Sequence, residues 1–428
     1  MQNEEFMSNF KADKSALQAL LEHERLAYRD FQGQGLHLDL SRGKPCADQL
    51  DLSLPMLDLS VWRDKDGTDC RNYGGLYGLD RMRTFWSEVT GLPFANIVAG
   101  GNSSLNMMFD ALSRAMLFGV ANSPRPWCKE DEVKFLCPAP GYDRHFRVTE
   151  QLGFTLVTVP MNEDGPDMDA VEEAVKDPAV KGIWCVPKYA NPTGITYSDE
   201  VVRRLARMRC AAPDFIIMWD NAYAVHDFVE EGGDRLLDIF QEARLAGNED
   251  RIFYFSSTSK ITFPGAGVAM MAASDRNLSK MAPVLGAQTI GPDKLNQLRH
   301  LYFLPDVETL ARHMHAHGAL IAPRFELLLS TLERELASLG FAHWTHPKGG
   351  YFISLDVLPG CAKRVYELCR DAGLALTPAG ATFPYGRDPA DSNLRLAPTF
   401  CTVEELSLAA ELLCCAVKIA ACEKLLAD

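Results

Sequence analysis

Between about residues 97 and 272 the chain alternates short apolar runs with stretches of helical period, and few architectures accommodate that rhythm. The runs cover 97–99, 133–137, 154–159, 182–186, 215–219, 252–255 and 268–272. Each has the length and the nearly unbroken apolar character of a strand buried on both faces. The segments between them, such as 104–118 and 198–209, repeat apolar residues at helical spacing. The alternation predicts an α/β unit with a mixed, mostly parallel sheet flanked by helices.

In such sheets ligands bind beyond the carboxyl ends of the strands. That rule singles out the post-strand segments 100–104, 138–142, 187–194, 220–223 and 256–260. The texture changes in the last third: a long helical region over 307–339, a strand at 351–357, a helix near 362–372, a short strand at 394–397 and a final helix. This reads as a smaller α+β domain over 311–428, with 61–310 as the large domain and 1–60 joining the small one. No repeat or low-complexity linker interrupts the chain.

Composition narrows the partners. The 428 residues are 47% hydrophobic with a formal net charge of -14, which argues against nucleic acid and against an anionic membrane surface. The 12 cysteines contain no CxxC pair, and the first fifteen residues are polar and charged where a leader needs an apolar run. The expectation is a cytoplasmic protein with reduced thiols. The most apolar stretch, 406–421, carries Glu411 and Lys418, so it predicts a packed helix rather than a membrane span, with Cys414, Cys415 and Cys422 in the core.

Two residues stand out chemically. Asp220 follows the apolar run 215–219, so a carboxylate is presented at a strand end among hydrophobic neighbours and needs a partner there. An ordinary helix cap on Ala222 or Tyr223 is the plainer alternative. Lys260 follows the 252–255 run through a hydroxyl cluster, Ser256, Ser257, Thr258 and Ser259. An amine desolvated at the floor of a cleft has a lowered pKa, as imine chemistry with an aldehyde requires. A surface lysine beside a serine-rich loop is the alternative. Gly101, Asn102, Ser103 and Ser104 open a predicted helix, where free amides and the dipole favour an anion.

Taken in order, Asn191, Pro192, Thr193 and Gly194, then Asp220, Asn221, Ala222 and Tyr223, then Ser257, Thr258, Ser259 and Lys260, then Asn393, Leu394 and Arg395 make a pattern. It resembles the class I aminotransferases of pyridoxal 5′-phosphate (PLP) fold type I, over most of the chain from Ser41 to Arg395. The wording of 73–78 and of Pro264, Gly265, Ala266 and Gly267 looks closest to the bacterial aspartate aminotransferase subgroup related to MocR-type effector domains.

The resemblance implies roles. Lys260 holds PLP as a Schiff base, and Asp220 keeps its ring nitrogen protonated so that the ring accepts electrons from the substrate α-carbon. Tyr223 and Asn191 bond the ring oxygen, and Tyr142 stacks on the ring face. Gly101, Asn102, Ser103, Ser104, Ser257 and Ser259 form the phosphate cup, and Tyr73 reaches the phosphate from the neighbouring subunit of a homodimer. Arg395 grips the substrate α-carboxylate with a planar fork, beside Asn191 and the backbone of Gly43. The chain departs from the pattern at Gly267 and Val268, where many members place a phosphate-binding arginine.

The implied function is transfer of an amino group from an amino acid, with L-aspartate as donor and 2-oxoglutarate as acceptor. Arg42, Lys44, Arg144, Arg147 and Arg299 are the candidate cations for a side-chain carboxylate. An aromatic or kynurenine aminotransferase, a lyase of the same fold and a non-catalytic PLP-binding regulatory module are the alternatives. His313, His315 and His317 look like a metal tract, but on a helix only His313 and His317 share a face, so they are expected on a solvated helical face with no metal. The glycines at 33, 35, 74, 75 and 78 read as turns.

Overall fold

The computed structural model describes residues 14–229 and 231–427; residues 1–13, where no leader was expected, lie outside them. Its strands are β1 (Leu38–Asp39), β2 (Ile97–Ala99), β3 (Lys134–Ala139), β4 (Thr155–Asn162), β5 (Gly165–Pro166), β6 (Val180–Cys185), β7 (Ile216–Asp220), β8 (Ile252–Ser257), β9 (Ala269–Ala273), β10 (Ala342–Trp344), β11 (Ile353–Val357), β12 (Leu374–Ala375) and β13 (Asn393–Leu396).

Eight of them form one sheet in the order β2-β9-β8-β7-β6-β3-β4-β5. The inner pairs β4–β3, β3–β6, β6–β7 and β7–β8 are parallel. Alternate side chains of these strands feed two separate cores, as a period of two requires. Leu136, Ile183, Cys185, Ile217, Trp219, Ile252 and Tyr254 enter one, while Phe135, Cys137, Trp184, Ile216, Met218, Phe253 and Phe255 enter the other. Burial on both faces explains why these strands read as unbroken apolar runs. The α/β class and the mostly parallel sheet expected from the sequence are those found.

Strand β9 is antiparallel to both β8 and β2, so β2 runs in the same sense as the inner strands. The carboxyl ends of β2, β3, β6, β7 and β8 therefore share one edge of the sheet, and the segments that follow them converge there.

A third core holds the antiparallel sheet β10-β11-β13, the helix Lys14–Gly33 and the helices Ala362–Asp371 and Val403–Ala427. The N-terminal segment is stitched to it by the parallel pairing of β1 with β12. The helix Val307–Leu336 gives Leu310 and Met314 to the first core and Phe325, Leu328 and Leu332 to the third. The apolar stretch expected to be a packed helix is one: Lys418 sits inside it, 3.2 Å from Glu24 Oε1 and 2.7 Å from Glu335 Oε2. Cys414, Cys415 and Cys422 are buried there. Among the described residues no helix is long and apolar enough to cross a membrane.

Candidate active site

Asp220 ends β7 in full burial, and the helix Asp143–Gln151 supplies its partner. His145 Nε2 lies 3.0 Å from Asp220 Oδ2, and its ring is stacked on Trp184 with centroids 4.1 Å apart. The other carboxylate oxygen, Oδ1, is buried with no hydrogen-bond partner. A buried carboxylate with one unused oxygen calls for a donor from the cleft. His145 escaped the sequence reading, although its place three residues after Tyr142 on a post-strand helix was visible. Tyr142 packs edge-on to it at 4.8 Å. The Tyr142 hydroxyl is pushed up to about 12, by burial first and then by the charges of Asp220 and Asp143.

Lys260 lies in the turn after β8, half-buried, with Nζ 4.9 Å from the Tyr223 ring centroid and 5.8 Å from that of Tyr351. Desolvation lowers its pKa; Asp220 opposes the shift and Arg395 adds to it. Asp220 and Arg395, both expected at the site, thus act on the same amine. Tyr223 is buried and stacked on Tyr351 at 6.0 Å, and burial holds its hydroxyl protonated far above the usual range.

The turn that carries Lys260 is held from beneath by histidines. His300 Nε2 lies 3.1 Å from Thr258 Oγ1 and 2.9 Å from Thr262 Oγ1. His313 Nε2 lies 2.7 Å from the Ile261 carbonyl oxygen, to which it donates. His317 Nε2 is 3.1 Å from His313 Nε2, and the Gln49 amide nitrogen is 3.1 Å from both His317 Nδ1 and the Tyr351 hydroxyl. The expectation of a solvated face for this tract is therefore corrected. His313 and His317 do share a face, but that face lies against the Lys260 turn, and of the three only His315 is exposed. Burial lowers the pKa of His300, His313 and His317, the last to about 3. No cluster of three metal-ligating side chains occurs among the described residues.

Ser257, Ser259 and Asn102, all expected to hold a phosphate, lie together. Ser257 Oγ is 3.0 Å from Ser259 Oγ, and Ser259 Oγ donates to the Asn102 carbonyl at 3.4 Å. Asn102 Nδ2 donates to the Gly265 carbonyl at 3.3 Å. Ser103 caps the helix Ser104–Phe118, its hydroxyl accepting from the Asn106 amide at 3.4 Å. Gly101 faces open space, with nothing within 4 Å of where a Cβ would stand. At Gly267 a Cβ would stand 3.2 Å from Thr258 Oγ1 and 3.3 Å from the Asn102 oxygen, so the position of the missing arginine is tight against the cup itself.

Arg395 sits on β13 opposite Ser354 of β11. Its Nη1 donates to Asp143 Oδ1 at 2.9 Å and to Asn191 Oδ1 at 3.2 Å, and Nη2 donates to Thr377 Oγ1 at 2.9 Å. Its Nε is buried without a partner. The Phe352 ring lies 5.0 Å beneath the guanidinium. Gly43 explains itself here, because a Cβ would come within 2.1 Å of that ring. Thr377 also donates to the Ser41 carbonyl at 3.1 Å, tying the Gly43 turn to Arg395.

Tyr73 is not brought to this cleft within the chain. It is 82% exposed, on a turn whose Asn72 and Gly74 carbonyls accept from Lys294 Nζ at 2.7 and 2.6 Å. Of the candidate cations, Arg147 is bonded to Glu150 at 2.7 Å and Arg42 lies 3.5 Å from Asp39. Lys44 lies over the Phe400 ring at 3.9 Å. Arg144 and Arg299 are exposed.

A doubly buried sheet whose strand ends converge on a desolvated lysine, a carboxylate with a free oxygen, an amide-and-hydroxyl cup and a partly unsatisfied arginine defines a PLP-type transferase. Residues 12–428 match the family described as aspartate amino-transferase. A relative from Mycolicibacterium smegmatis is 51% identical over 417 residues, 96% of this chain and 97% of its own length. An aspartate aminotransferase from Corynebacterium glutamicum is 47% identical over 420 residues, 97% of this chain and 96% of its own. The crystal structure of an aspartate transaminase from Corynebacterium glutamicum superposes with a TM-score of 0.94 at 47% identity, over 96% of this chain and 98% of that one. The chain belongs to the aspartate aminotransferase family. It is an aminotransferase, and its cofactor is pyridoxal phosphate.

Proposed function

We propose that this aminotransferase takes L-aspartate as donor and 2-oxoglutarate as acceptor, with Lys260 as the amine that carries the cofactor. The observation behind the assignment of roles is the buried Asp220 Oδ1 left without a hydrogen-bond partner, in the same cleft as an amine whose pKa burial lowers. When bound, PLP supplies the electron sink that weakens bonds at the substrate α-carbon. Asp220, braced by the His145 imidazole, would accept the ring N–H and keep that sink charged. Tyr223 and Asn191 would donate to the ring oxygen, and Tyr142 would cover one face.

The cup of Gly101, Asn102, Ser103, Ser104, Ser257 and Ser259 would receive the phosphate on backbone amides and hydroxyls at a helix N-terminus. Arg395 would bind the α-carboxylate and so orient the α-hydrogen toward Lys260, whose amine would carry that proton from the substrate α-carbon and back. Gly43 leaves room for the Phe352 ring beneath that arginine. The family match and the Corynebacterium glutamicum relative's activity support aspartate as the donor. We further place Tyr73 against the phosphate of a second copy of the chain, in a homodimer, which accounts for an aromatic left 82% exposed.

A panel of amino donors and oxo acids tests the substrate reading. L-aspartate with 2-oxoglutarate is expected to give the highest kcat/KM. A preference of tenfold or more for aromatic donors, or release of ammonia or carbon dioxide in place of transfer, would replace it.

A further inference from the structure

A guanidinium has five N–H donors, and the protein's own groups take three of those on Arg395. Two on Nη1 go to Asp143 Oδ1 and Asn191 Oδ1, and one on Nη2 goes to Thr377. What remains is one N–H on Nη2 and the Nε–H, which is enclosed and unpartnered. A substrate carboxylate that takes these two donors therefore meets a guanidinium whose charge a resident carboxylate, Asp143, already balances.

Asp143 is built to be displaced. It is the first residue of the helix Asp143–Gln151, its side chain is 33% exposed, and Arg395 is its one hydrogen-bond partner among the described residues. A charge at that position keeps a favourable site when it swings out, because helix N-termini stabilise anions. Asn191 and Thr377, by contrast, are neutral and buried, and they hold the guanidinium whichever anion occupies it.

We propose that Asp143 is an internal competitor for Arg395: it balances the guanidinium in the substrate-free site and yields to the α-carboxylate, setting the KM of donors and acceptors alike. The inference rests on the reading of Arg395 as the carboxylate grip. Asp143 is a positioning residue in this scheme, since it acts on the substrate through the arginine.

The test is calorimetric titration of maleate, a dicarboxylate without an amino group, into cofactor-loaded wild type, Asp143→Asn, Asp143→Ser, Asp143→Glu and Arg395→Gln, with KM and kcat for L-aspartate alongside. Loss of one competing charge-assisted bond predicts that Asp143→Asn and Asp143→Ser bind maleate roughly tenfold more tightly and lower KM by a similar factor. The effect falls on KM rather than kcat, and Asp143→Glu restores the wild-type values. Unchanged or weaker binding in both neutral variants, with Arg395→Gln strongly impaired, overturns the competitor role alone. Wild-type binding by Arg395→Gln overturns the carboxylate grip itself.

Discussion

A carboxylate buried as deeply as Asp220 costs several kcal/mol unless its surroundings return the lost hydration. His145 satisfies one oxygen and leaves the other for the cleft, so the residue is half-solved by the protein and completed by what binds. The histidines under Lys260 are the reverse case, neutral groups enclosed by the fold. His317 has an ordinary value of 6.5 when exposed and about 3 when folded. Above pH 6.5 neither state carries the proton and nothing is lost. Between there and about 3 the unfolded chain binds a proton that the folded protein refuses. Stability then falls by up to about 1.4 kcal/mol per pH unit. Urea titrations from pH 7 to pH 5 should find a shallower loss in His317→Gln than in wild type; parallel slopes in the two proteins would remove His317 from this role. The sequence revealed that His313 and His317 share a helical face, but which neighbour that face meets is a tertiary fact. Asp220 and Lys260 were legible because each follows an apolar run, whereas His145 and Tyr351 lie in segments whose packing no local pattern states.

At the scale of elements, the strands that could be read from the sequence are those enclosed on both faces. Phe253 and Phe255 belong to one core while Ile252 and Tyr254 belong to the other, so every position had to be apolar. The two-residue strands β1, β5 and β12 have too few residues for a period to be visible. The final helix was expected to be packed, and its single buried lysine shows how. Lys418 joins Glu24 of the first helix to Glu335 at the end of the long one, tying three helices through one ammonium. Lys418→Ala leaves Glu24 facing Glu335 without a cation and is expected to cost about 3 kcal/mol. Lys418→Met should cost less if packing is what the stem contributes, and a loss below about 1 kcal/mol in the alanine variant by denaturant unfolding would contradict a coupled triad.

For the molecule as a whole, the direction of β2 matters more than its length. Because β9 reverses, β2 delivers Gly101 and the helix after it to the same sheet edge as Asp220 and Lys260, and one cleft can hold both ends of a cofactor. Within one chain Arg395 is buried while the cup is open, where Gly101 and Asn102 are exposed. A second copy supplying Tyr73 is the proposed closure. Sedimentation at micromolar concentration should find a dimer, and Tyr73→Phe should weaken cofactor retention without changing the sedimentation coefficient. A monomer that turns over at the full rate would contradict the shared site.

The assignment of Lys260 underlies all of these roles. Borohydride reduction of the cofactor-loaded protein, followed by peptide mapping, should fix one cofactor per chain on Lys260 and none in Lys260→Ala. A label on another lysine, or normal turnover by the alanine variant, would contradict it.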